Sequence, residues 1–182
     1  MLGLFNKKKT HLSKNDFVTL MLSFQQEMAT VLSRESQNLF QQESDAKIIQ
    51  FECKILSLCI LSLAIQDKDL DLRNTIYIEY CRHRNLDNDT TERFLGHLDM
   101  RCKEYYDAFN EFVKDHGTGG FFLGSVVANG LKGGESDKLE LGIIQGHAAF
   151  SLFINSLKST FEFIGDLKKK YNLSEVSSVF VE

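Results

Sequence analysis

The 182-residue chain contains no proline and no tryptophan. Without proline the commonest helix breaker is missing, so long uninterrupted helices are permitted throughout. A bilayer-length apolar run is also missing. The longest, Ile55 to Ile65, has 11 residues with Ser57 and Ser62 among them, well short of the ~20 that a spanning helix needs. No secretory leader is legible, because Met1–Phe5 is too short for an apolar signal core and Lys7–Lys9 follow it instead of preceding it. Leu2 stands where N-myristoylation needs glycine.

An excess of positive charge is missing too. Lys plus Arg total 21 against 25 Asp plus Glu, a formal charge of −4, which argues against a nonspecific nucleic-acid binder. The four cysteines, Cys53, Cys59, Cys81 and Cys102, form no Cys-x-x-Cys pair and sit in apolar helical stretches. They read as buried free thiols in a reducing, cytoplasmic setting, with neither a disulfide framework nor a zinc site.

Signatures of catalysis are scarce. No Glu-x-x-His occurs, so a di-iron bundle lacks its ligand pattern. Glu79 and His83 share a helix face at i,i+4, but Arg82 and Arg84 flank the histidine and would repel a cation; Glu92 and His97, five apart, do not share one. No Gly-x-Ser-x-Gly or Walker pattern occurs, and Gly124-Ser125 alone is not a nucleophile motif. The residues identify no catalytic group and no metal ligand set.

What the chain does have is helical periodicity and phenylalanine, 15 of them. Residues 1–12 read as a flexible basic tail, 13–173 as one all-helical bundle domain and 174–182 as a second tail. Ser13 with Asp16 forms a capping box for a helix ending near Phe40, whose seam is Phe17, Met21, Phe24, Met28 and Val31. A second helix, about Ser44–Ile65, is apolar on every face in its second half and belongs at the centre of the fold. A third covers about Leu70–Arg84. The fourth, Thr90–His116, is capped by Asp89 with Glu92 and carries the seam Phe94, Leu98, Cys102, Tyr105, Phe109 and Phe112, ending in a left-handed cap at Gly117.

Seven of the 12 glycines fall between Gly117 and Gly134, which predicts a brief apolar helix over 120–131 with glycine joints. The last helix runs from about Ser136 to Tyr171 with a seam at Ile143, His147, Phe150, Ile154, Leu157, Phe161 and Ile164, leaving Phe153 and Phe163 to find another surface. The fold class is therefore all-α: five to six helices in a single bundle, with long helices 1, 4 and 6 around an apolar helix 2.

Two functions follow from these patterns. The first is protein–protein interaction, including self-association into a homodimer, through the aromatic faces and the glycine-jointed segment 117–134. The second is a carrier or sensor enclosing an apolar small molecule, a lipid or haem, with His147 and Phe150 orienting it and Phe121 and Phe122 as a lid. Gly119 and Gly120 also offer backbone N–H groups to an anion. The N-terminal Leu2, Leu4 and Phe5 with three lysines predict at most weak, reversible contact with an anionic membrane surface.

Overall fold

A computed structural model describes residues 9–40, 45–65, 70–116, 118–133 and 143–177. Six helices and one short strand pair make up the described fold: β1 (Thr10–His11), α1 (Lys14–Phe40), α2 (Ala46–Ala64), α3 (Leu70–His83), α4 (Asn88–Lys114), α5 (Thr118–Leu131), α6 (Ile143–Lys170) and β2 (Tyr171–Asn172). The all-α bundle expected from the periodicity is what the chain forms. No helix among the described residues is long and apolar enough to cross a membrane.

Local chemistry sets the helix ends. Ser13 and Asp16 form the expected capping pair: the Asp16 N–H donates to Ser13 Oγ at 3.1 Å, and Ser13 Oγ donates to Asp16 Oδ2 at 2.7 Å. Asp45 caps α2 by accepting from the Lys47 N–H at 2.7 Å. For α4 the expected cap was two residues too late. Asp87, not Asp89, accepts from the Thr90 N–H at 2.8 Å, because an aspartate in extended conformation ahead of the helix reaches the N–H three residues on. Helix α3 ends on Asn85, whose φ of 52° is left-handed. Asn85 N–H then reaches Arg82 O at 3.0 Å and Leu86 N–H reaches Cys81 O at 3.2 Å, satisfying carbonyls that the helix end orphans. Gly117, the expected cap of α4, lies outside the described residues.

Helix α2 occupies the centre, packed against α1, α4, α5 and α6. Ile55, Leu56, Leu58, Cys59, Ile60 and Leu61 are each at most 1% exposed, so successive residues on every side of the helix are covered. Its polar groups find partners: Ser57 accepts from Gln25 Nε2 at 2.7 Å, and Ser62 shares a 2.5 Å hydrogen bond with Tyr77. Unpaired, such groups would each cost about 1–3 kcal/mol.

Three seams depart from the expected ones. On α1, Val31 is half exposed and Leu32 takes its place in the core, since 3.6 residues per turn drifts away from a strict 3,4 alternation. On α4, Arg101 and Ala108 join Phe94, Leu98 and Tyr105 as buried residues. On α6 the buried stripe is Gly146, Ala149, Phe153, Leu157, Thr160, Ile164 and Leu167. Phe153, expected to look elsewhere, is fully buried, and Phe161 is 45% exposed. Small residues decide this: the Gly146 backbone lies directly against Gly124 of α5, so Gly146 and Ala149 face inward, and Phe150 packs half-buried beside Gly120 and Gly124. Phe163 covers itself by stacking on Phe24 at 4.4 Å.

The two tails are partly docked. Thr10 and His11 pair in parallel with Tyr171 and Asn172, and Leu12 and Val176 are buried in the common core. The division at residues 12/13 and 173/174 therefore cuts through packed structure. The apolar cluster and lysines at 2–8 lie outside the described residues, as do 134–142, where the last helix was expected to begin, and 178–182.

Candidate functional site

The glycines of α5 select a very close contact. A Cβ on Gly119 would lie 2.6 Å from Phe112 Cα of α4, and one on Gly124 would overlap the Gly146 carbonyl oxygen of α6. Helix α5 is thus wedged between α4 and α6 with backbone against backbone; Leu123, Val127 and Leu131 fill the core while Phe121 and Phe122 stay outside it. Phe121 and Phe122 are 45% and 47% exposed. The Phe121 ring rests beside Gly146, and Phe122 borders a concavity of about 340 Å³ with Glu111, Asp115 and Thr118. Ile144, two residues before Gly146, is 81% exposed. Beneath lies an aromatic floor in which Phe112 meets Phe150 and His116, each with ring centroids 5.1 Å apart.

The residues singled out from sequence thus meet at one end of the bundle, with two corrections. His147 is exposed; the seam position it was assigned belongs to Gly146, so the imidazole does not enter the apolar interior. The Gly119 N–H is already committed, donating to Asp115 O at 3.0 Å. Asp115 also accepts from Thr118 Oγ1 at 2.6 Å, so carboxylate already occupies the neighbourhood proposed for an anion. Gly120 sits over the Phe112 and Phe150 rings, as an apolar spacer.

Sequence reasoning missed a buried charge cluster and a covalent link. Glu52 of α2 and Arg101 of α4 are both 3% exposed and in contact at 3.4 Å. Glu52 Oε1 lies 3.0 Å from His97 Nε2, and Arg101 donates to Glu104 Oε2 at 2.8 Å. Burial pulls the Arg101 pKa down, but the hydrogen bond to Glu104 and the negative charges of Glu52 and Glu104 outweigh it and leave the group raised. His97 therefore partners a glutamate from another helix, not Glu92. Glu79 is engaged by Arg82, and among the described residues no three His, Cys, Asp or Glu side chains gather to hold a metal ion.

The covalent link joins Cys59 of α2 to Cys102 of α4, with Cα atoms 5.0 Å apart. This corrects the expectation of four free thiols, which holds for Cys53 and Cys81 only. The error has a plain origin: 43 residues separate the partners, and adjacency of two helices is invisible in spacing along the chain. Burial pushes the Cys53 thiol up to about 12, so it stays protonated and inert at neutral pH. A scan against protein-family models finds no match for this chain, and searches of curated proteins and of solved structures find none either.

Proposed function

We propose that the protein acts by protein–protein contact through the outer side of α5 and the start of α6, and that the partner it takes is a second copy of itself. One observation carries the reading: Phe121 and Phe122 are both nearly half exposed, side by side on α5, with Ile144 of α6 81% exposed. A two-fold axis would set this apolar patch against its own copy, the arrangement of most homodimers.

The energetics favour a weak, concentration-dependent dimer. Fully burying a phenylalanine yields about 1.5–3 kcal/mol, so covering the exposed half of four rings yields about 3–6 kcal/mol. That reaches only the lower part of the ~4–15 kcal/mol lost on association, and Ile144 adds the next increment.

Sedimentation velocity over a concentration series tests it. The wild type is expected to shift from monomer towards dimer as concentration rises, and a Phe121→Ser/Phe122→Ser double variant to stay monomeric with an unchanged circular dichroism spectrum. A wild type that remains monomeric at every concentration overturns the reading.

A further inference from the structure

The strand pair β1–β2 brings together two lysine triplets from far-separated parts of the sequence. Lys168, Lys169 and Lys170 form the last turn of α6, and β2 follows them directly. Lys9 precedes β1, and its Nζ donates to the Lys168 carbonyl oxygen at 2.7 Å. Lys7 and Lys8, outside the described residues, stand next to Lys9 in the sequence.

Little of this charge is cancelled within the fold. Lys9 spends an N–H on a carbonyl, and Lys170 lies over the Tyr171 ring at 5.0 Å; neither contact supplies a negative charge. Lys169 pairs with Asp166 at 2.8 Å, but both side chains are largely exposed, and such a surface pair is readily exchanged for another anion. Glu175 is shared with His11. Residues 1–12 and 166–182 together hold six lysines against three carboxylate side chains, Asp166, Glu175 and Glu182, a formal +3. The whole chain is −4, so residues 13–165 carry −7. Distance keeps the two apart: α6 has 28 residues, about 42 Å of rise, against a Debye length of about 8 Å at physiological salt. A charged surface that meets the lysine end therefore senses that end and little of the acidic body.

We propose that this end of the molecule docks on an anionic lipid surface, both lysine triplets over the headgroups and Leu2, Leu4 and Phe5 entering the interface. The apolar residues select lipid over a dissolved polyanion. Phe5 is two residues from Lys7, and only a membrane offers an apolar phase beside a sheet of negative charge. Lys7–Lys9 by themselves give weak attachment; the fold doubles their number at one end, and each lysine near such a surface adds about five-fold in affinity. The lysine end lies about 36 Å along α6 from Ile144, so the docking does not depend on the dimer face.

Cosedimentation of the full chain with vesicles tests this, using phosphatidylcholine with and without phosphatidylserine at low and high salt. The wild type is expected to bind the phosphatidylserine vesicles at least about tenfold more tightly than phosphatidylcholine alone, and to be released as salt rises. A Lys168→Gln/Lys169→Gln/Lys170→Gln variant is expected to lose at least about tenfold in affinity with an unchanged circular dichroism spectrum. A Leu2→Ser/Leu4→Ser/Phe5→Ser variant is expected to bind several-fold more weakly with the same salt dependence. Four results overturn the proposal. The wild type binds neither vesicle, or binds both equally; the α6 lysine variant binds as the wild type does, which leaves residues 7–9 acting alone; or the apolar variant binds undiminished, which makes this a general polyanion site. The wild-type comparison of the two vesicles decides the matter even where a variant fails to fold.

Discussion

Gly124 of α5 lies so close to Gly146 of α6 that a Cβ on the first would overlap the carbonyl oxygen of the second and stand 3.0 Å from Phe150 Cβ. The obstructing atom is backbone, so no rotamer change relieves it.

Gly124→Ala should therefore destabilise the fold by ~1–3 kcal/mol, even though alanine is the better helix former by about 1 kcal/mol. Gly96→Ala on α4 is the matched control: nothing lies within 4 Å of its Cβ position, and the gain in helix propensity should appear undiminished. Urea unfolding of both variants checks the pair. Opposite shifts in midpoint are expected, the Gly124→Ala loss at least as large as the Gly96→Ala gain, and a stabilised Gly124→Ala protein would mean the two helices do not meet here.

Stability should fall in alkaline solution. Burial, and less strongly the Glu52 charge, raise the Cys53 pKa from 9.0 to about 12 against a weaker lowering by the Ser36 hydrogen bond; burial likewise raises Tyr105. Both groups stay neutral in the fold. Above pH ~9 the unfolded thiol ionises while the folded one does not, so the unfolded state binds fewer protons and ΔG of unfolding drops. The contribution is complete below the unfolded value and is lost as pH rises towards the folded one, at about 1.4 kcal/mol per pH unit per group. Urea midpoints at pH 8 and pH 10 should differ for the wild type, with a shallower decline for Cys53→Ala. Parallel declines would remove Cys53 as a cause.

Opening the Cys59–Cys102 bridge should cost stability. Its partners are 43 residues apart, and loop-closure entropy over that length amounts to about 4 kcal/mol. With a urea slope of about 2–3 kcal/mol/M, a reductant should lower the wild-type midpoint by about 1.3–2 M and leave a Cys59→Ala/Cys102→Ala double variant untouched. A wild-type midpoint indifferent to reductant would show that the link adds nothing to the folded state.

The helices were legible because each satisfies a one-dimensional rule. Ser13 with Asp16, the all-round apolarity of Ile55–Leu61, and the polar breaks between helices need only neighbours along the chain to be read. The faces were less legible. Periodicity locates a stripe but weighs phenylalanine above glycine, so Phe161 was assigned to a seam that Thr160 holds, and His147 to one that Gly146 holds. In a contact this close the smallest residue wins the interior. The clustering of glycines between 117 and 134 was the available signal, and it pointed to joints where the structure uses proximity. The Glu52–Arg101 pair and the Cys59–Cys102 bridge left no trace of this kind, since each spans two helices whose adjacency only the folded chain defines.

The little strand pair has a consequence for the order of assembly. It joins residues 161 positions apart, so it offers nothing to a growing nucleus until the intervening helices have docked, and loop closure over such a span is compensated only by what is already in place. With four paired residues and His11 and Asn172 both near solvent, it is a clasp fastened late and unfastened early. Amide exchange at Leu12, whose N–H reaches Asn172 O, would then register the first opening of the molecule, well before the α2 core gives way.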